Sequence, residues 1–250
     1  MNNTEANNTE TNNTEAEVKA TNMVKTADEV LSIMRASAIG DMCFTRILEF
    51  IKVGKTELEV QAEIERILFK LGAEKLSFPT IVVSGERTTL PHGEPTDKVI
   101  EKGDFVTLDF GAVVDGLCAD MTRTIAMGSV TDFQKEIYEL VLRAQTSALA
   151  ICKAGVRCAD VDKVARDIIE EAGYGEYFVH GTGHGVGVEV HEPPKLNKES
   201  EEVLEANMPI TVEPGIYIPD KFGVRIEDLA IVTKSGIINT VKSKKELIIL

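Results

Sequence analysis

Between Asp104 and Gly128, two runs rich in β-branched and apolar residues, DFVTLDFGAVV and CADMTRTIAMG, flank the dipeptide Asp115-Gly116. Asp-Gly is among the strongest signals for a two-residue hairpin turn, whose central residues both need positive φ. With that turn in place Val114 pairs with Leu117, and counting outward sets Asp109 opposite Thr122 and Asp120 opposite Gly111. Side chains alternate along a strand, so Asp109 and Asp120 project from one sheet face, diagonally offset, with β-carbons within roughly 7–8 Å. Two like charges on an otherwise apolar ribbon raise each other's pKa unless a cation lies between them. The expectation is a bound metal.

Around this hairpin the hydrophobic period changes. From Thr26 to about Lys52, Val30, Ile33, Met34, Ala38, Met42, Ile47, Leu48 and Ile51 recur at helical spacing, with Thr26 and Asp28 as capping candidates and Gly54 closing the helix. Thr56 to Glu59 has the spacing of a capping box, and Leu58, Val60, Ile64, Leu68 and Leu71 follow on a helix that Gly72 can end. Two further helices are expected from about Asp132 to Lys153 and from about Asp160 to Glu171. Beyond them Gly-rich segments alternate with short apolar runs. The fold class is α+β, in one domain over residues 23–250. Residues 1–22 contain three Asn-Asn-Thr-Glu repeats, too polar to offset the entropy of ordering them, and are expected to form a disordered tail.

The chain of 250 residues is 43% hydrophobic, enough for a sizeable core. Its net charge of -14 argues against nucleic acid as a partner, because binding phosphates needs clustered Lys and Arg. No apolar run reaches the roughly 18 residues of a membrane span, and the start lacks a signal-peptide pattern. Four cysteines without a paired spacing read as free thiols. A cytoplasmic location is expected.

Two more carboxylates arise from strand-like sequence. Glu213 follows Ile210-Thr211-Val212, and Glu227 alternates with Val224 and Ile226, so that Arg225 and Glu227 share a strand face. His184 lies between Gly183 and Gly185, which leave space for a metal or substrate to approach. The chain has four histidines, and the other three, His92, His180 and His191, also sit in Gly- or Pro-marked contexts. Four carboxylates and one imidazole make an oxygen-rich set that suits two divalent ions, Mn²⁺ or Co²⁺ before Zn²⁺ or Fe²⁺.

The stretches SFPTIVVSGERTTLPHG, DFVTLDFGAVVDGLCADMTRTIAMG, HGTGHGVGVEVHEPP, ITVEPGIYIP, GVRIEDLAIVT and KELIIL resemble, in this order, the pita-bread metallopeptidases, and within them the Xaa-Pro aminopeptidase and Xaa-Pro dipeptidase (prolidase) group. The resemblance implies a curved, mostly antiparallel sheet flanked by helices. It implies the metal ligands Asp109, Asp120, His184, Glu213 and Glu227, with Asp120 and Glu227 touching both ions. His92, His180, His191 and Arg225 match positions that line the active site, and Glu213 matches the proton shuttle. His180 and His191 would donate hydrogen bonds to the substrate carbonyl, and Arg225 would hold a ligand carboxylate.

The implied activity is exopeptidase hydrolysis of peptides with a free N-terminus, at Xaa-Pro bonds. Methionine aminopeptidases share the fold and ligand pattern. The short interval between Glu213 and Glu227, with His180 and Arg225, leans toward the proline-specific group. A protein-binding module without catalysis and a metal-independent hydrolase of the creatinase type are the remaining readings, and a homodimer is the assembly to consider. Proline-specific members usually carry an additional N-terminal domain where this chain has its polar segment.

Overall fold

Of the capping candidates in the first third, Thr26 and Thr56 take that place, whereas Asp28 lies inside the first turn of its helix. In the computed structural model, which describes residues 23–250, Thr26 and Glu29 close a reciprocal capping box at the start of α1 (Ala27–Phe50), and Thr56 and Glu59 do the same for α2 (Glu57–Lys70). The tail expected for residues 1–22 lies outside the described residues. Gly72 adopts φ 104° just past α2, as a helix stop requires. Gly54 does not itself close α1, which ends at Phe50 with Ile51 as its extended cap. Leu58 is exposed rather than in the core, because helical spacing turns Val60, Ile64, Ile67 and Leu68 inward instead.

The strands follow in antiparallel order. β1 (Ile81–Ser84), β2 (Phe105–Phe110) and β5 (Met121–Ala126) make a three-stranded sheet in the order β1-β2-β5. Asp115 and Gly116, at φ 50° and 75°, join β3 (Val113–Val114) to β4 (Leu117–Cys118), and Val114 pairs with Leu117 as the turn dictates. Asp109 stands opposite Thr122, and Phe110 opposite Met121. The ladder breaks between the Phe110–Met121 pairing and the Val113–Cys118 pairing, leaving Asp120 in an irregular link rather than inside a strand.

Two helices follow, α3 (Asp132–Ile151) with its own capping box from Thr131, and α4 (Cys158–Glu171), which begins two residues before Asp160. A five-stranded antiparallel sheet has the order β12-β11-β8-β6-β7, from β6 (Gly183–Gly185), β7 (Glu192–Leu196), β8 (Pro209–Val212), β11 (Asp228–Val232) and β12 (Ile237–Asn239). β9 (Gly215–Ile218) and β10 (Phe222–Arg225) form a separate hairpin.

Two apolar cores result. One joins α1 and α2 to Val106, Leu108 and Phe110 of β2 and to Met121 and Ile125 of β5. The other joins α3 and α4 to Ile210 and Val212 of β8 and to Ile216, Val224 and Ala230. Alternation gives the opposite face of β2 and β5 a different character: Thr107, Asp109, Thr122 and Thr124 are all buried and polar. A buried polar face needs partners, and this one finds them at the candidate site. The four cysteines are buried free thiols, and no helix among the described residues is long and apolar enough to cross a membrane.

Candidate metal centre and its surroundings

All nine residues singled out in the sequence line one cavity of about 710 Å³. β2 supplies Asp109, the link before β5 supplies Asp120, β6 supplies His184, and Glu213 follows β8 directly. Glu227 is placed differently from the sequence reading. It lies in the two-residue junction between β10 and β11, where the chain leaves its pairing with β9 to join β8. The backbone N–H of Glu227 instead donates to Thr122 O at 3.1 Å, which fixes the junction against β5.

Ligand atoms of Asp120, His184 and Glu227 lie within 4.8 Å of one another. His184 Nε2 is 3.1 Å from Glu213 Oε1 and 3.8 Å from Asp120 Oδ2. Its Nδ1 must carry the proton, since it lies 3.0 Å from Gly185 O, a pure acceptor. That bond turns Nε2 toward the cavity, where, against the effect of burial, the hydrogen bond and charge of Glu213 raise the pKa of the ring, so the proton held on Nε2 is the one that a bound cation would displace. Thr211 Oγ1 accepts from the backbone N–H of His184 and donates to Glu213 Oε1 at 3.1 Å, tying the backbone of β6 and the side chain of Glu213 to β8.

Burial pushes the carboxyls of Asp109, Asp120 and Glu227 above their usual range, Asp120 and Glu227 strongly, and neighbouring carboxylates add to the rise at all three. Burial acts the same way on Glu213, but the hydrogen bond and charge of His184 override it and bring Glu213 down to about 2. Asp109 Oδ1 and Glu227 Oε1 are buried with no hydrogen-bond partner among the described residues. Unpaired buried carboxylate oxygens are costly, so these two orphans, facing the same cavity as Asp120 and His184, fit a bound cation.

The repulsion is not left to a metal alone. Arg225 donates from Nη2 to Asp109 Oδ2 at 2.6 Å and from Nε to Thr122 Oγ1 at 3.1 Å, while Thr122 Oγ1 donates to Glu227 Oε2 at 2.6 Å. Arg225 therefore does orient a carboxylate, and it reaches Asp109 across the sheet rather than its near neighbour Glu227. Its Nη1 donates to Tyr217 Oη at 2.9 Å and to Pro91 O at 3.1 Å.

His180 has both ring nitrogens engaged by the protein. Nδ1 lies 2.7 Å from Gly181 O and Nε2 lies 2.8 Å from Tyr217 Oη. Burial lowers the His180 pKa, so the ring is neutral with its proton on Nδ1, and Tyr217 donates to Nε2. The hydrogen bond expected from His180 to a substrate carbonyl has no free N–H to make it. His92 and His191 are exposed at the cavity wall, and the His191 ring packs 4.3 Å from that of His184. Tyr217, Thr122 and Thr211 were not among the residues chosen from sequence. Thr122 had a signal, being the register partner of Asp109, whereas Tyr217 gave none.

The glycines around His184 serve another purpose than the one inferred. A Cβ on Gly183 would lie 2.0 Å from Thr211 O, and one on Gly185 would lie 2.2 Å from Pro193 O. They let β6 fit between the backbones of β8 and β7. Gly183→Ala is expected to cost about 3 kcal/mol through this backbone clash, a fall of roughly 6–12 °C in Tm. Thermal unfolding checks it, and a fall below about 2 °C would mean that β6 has slack the packing does not suggest.

The profile of metallopeptidase family M24 matches residues 32–234. Over 231 residues the chain is 46% identical to a protein named Xaa-Pro dipeptidase from Pyrococcus furiosus, covering 92% of this chain and 66% of that one. Among solved structures, an Xaa-Pro dipeptidase from Bacillus anthracis superposes with a TM-score of 0.90 at 53% identity, covering 91% of this chain and 64% of that one. An X-Pro aminopeptidase from Thermotoga maritima gives 0.91 at 42% identity, with 94% and 66% covered. The chain thus spans about two thirds of the length of these relatives.

Proposed function

The chain belongs to metallopeptidase family M24 and has its pita-bread fold, and from that premise we propose that it is an exopeptidase that uses two divalent metal ions to hydrolyse Xaa-Pro bonds at the N-terminus of peptides. The observation that carries this reading is the convergence of four carboxylates and His184 Nε2 on one cavity, with Asp109 Oδ1 and Glu227 Oε1 left unpartnered. Asp109, Asp120, His184, Glu213 and Glu227 would hold the ions, with Mn²⁺ or Co²⁺ the best match to the oxygen-rich donors. Bound divalent ions lower the pKa of water toward neutrality and polarise a scissile carbonyl.

The protein's own groups account for the remaining steps. Glu213, held through Oε1 by Thr211, takes the proton of the attacking water and delivers it to the leaving nitrogen. His191, with its ring at the cavity wall, donates to the oxygen on which negative charge develops. Arg225 and Tyr217 keep Asp109 and His180 in fixed orientations. The acidic floor attracts the free amine of the substrate, while Phe78, Pro79, Pro91 and Pro193 give the wall an apolar surface suited to a prolyl ring.

With Mn²⁺ or Co²⁺ restored after stripping, the protein is expected to cleave Xaa-Pro dipeptides or longer Xaa-Pro peptides and to leave Met-Ala-Ser intact. A preference for Met-Ala-Ser would replace this reading by a methionine aminopeptidase. Silence on every peptide with either metal would leave a binding module.

A further inference from the structure

His92 reaches the cavity on a loop, and its imidazole has no hydrogen-bond partner among the described residues. Its position is therefore set by the backbone that carries it. That backbone runs from Gly85 to Pro95, and one side chain outside it holds both its ends. Glu57, the first residue of α2, is fully buried. Its Oε1 accepts from the N–H of Ser84 at 2.7 Å and from Ser84 Oγ at 2.9 Å, just before the loop. Its Oε2 accepts from the N–H and Oγ1 of Thr96, each at 3.0 Å, just after it. Arg87 Nε also donates to Oε2 at 3.1 Å, and Arg87 Nη2 donates on to Glu94 O at 2.6 Å.

Five donors on one carboxylate exceed what capping α2 requires, since Thr56 and Glu59 already do that. A buried charge with all its lone pairs engaged fixes geometry tightly, because releasing any one donor leaves an uncompensated group. The loop so closed carries Pro91, His92, Gly93 and Glu94 into the cavity wall, and Pro91 O receives Arg225 Nη1. We propose that Glu57 is a positioning residue for His92, a carboxylate clamp behind the active site that sets where the imidazole meets the substrate. The catalytic part of this inference rests on the peptidase reading above; the clamp itself does not.

The test uses the whole chain with histidine labelled at Cε1. With four histidines the ring resonances are separable, and His92→Gln assigns that of His92. Glu57→Gln keeps the shape of the side chain but removes the charge and one acceptor. The His92 resonance is expected to move or broaden while those of His180, His184 and His191 and the bound-metal content hold. On an Xaa-Pro substrate kcat should fall about 10- to 100-fold, and this loss should vanish when His92 is already alanine, as coupled residues require. Thr96→Val removes one donor and leaves α2 intact, so it serves if Glu57→Gln does not fold, with a smaller effect of the same pattern. An unmoved His92 resonance, a general shift of all four, or losses that multiply independently of His92→Ala would each overturn the proposal. A moved His92 resonance in a protein that cleaves no Xaa-Pro peptide would uphold the clamp and sink the substrate assignment.

Discussion

Glu213→Ala is expected to abolish turnover, lowering kcat by about 10²–10⁴-fold when assayed at saturating metal. Two losses coincide at this position. The proton acceptor disappears, and with it one of the carboxylates proposed to hold the ions. The fold should survive, because Glu213 lies just beyond the end of β8 and, among the described residues, its side chain bonds only to Thr211 and His184. Activity titrated against metal separates the two losses. If excess metal restores more than a few per cent of wild-type kcat, Glu213 is a ligand only, and the proton must be carried elsewhere.

Metal loading is expected to raise Tm by about 10 °C at neutral pH when the ion is present at roughly 1,000 times its Kd. The pH dependence of that rise follows from the carboxyls. For Asp120 and Glu227 the folded pKa is raised by burial, so the metal-free fold binds their protons more tightly than the unfolded chain does. Their ionisation thus costs stability above the folded pKa, and acidification toward the ordinary carboxylate range returns it. For Glu213, with a folded pKa of about 2, the sign is opposite, and its contribution is present above the ordinary value near 4.5 and is lost as pH falls toward 2. Buried Asp228, held low against the rise from burial by Arg123 and Lys245, behaves like Glu213. The metal-free protein should therefore be most stable in mildly acidic solution. The gain from metal should be largest at neutral pH and shrink as protons compete for the same oxygens. Thermal melts with and without metal across this range are the check, and a gain independent of pH would separate the ions from these carboxyls.

What could be read from the sequence was carried by short-range chemistry. The Thr56–Glu59 box and the Asp115-Gly116 turn act over two to four residues, and the turn alone fixed the register that set Asp109 opposite Thr122. Glu227 alternates with apolar residues as a strand residue would, yet the chain exchanges partners there, an event decided by β8 and β9 rather than by neighbours in sequence. The role of the glycines flanking His184 is non-local in the same way: what crowds them is Thr211 and Pro193, and nothing nearby in sequence announces either. Tyr217 and Glu57 carry no local signal, because each is defined by its bonds to segments far along the chain. The family resemblance supplied the ligand set as a pattern. It did not supply the protein bonds that occupy His180.

The four buried thiols give the fold an internal clock. Burial pushes Cys43, Cys152 and Cys158 up to about 12 and raises Cys118 as well, so almost none of the reactive thiolate exists in the closed molecule at neutral pH. Alkylating reagents and peroxide can then reach them only during an opening event. Cys43 and Cys118 belong to the core under α1 and α2, while Cys152 and Cys158 belong to the core under α3 and α4. The pace at which each pair is modified is thus a separate record of how often its half of the molecule breathes, written without any probe having to be introduced.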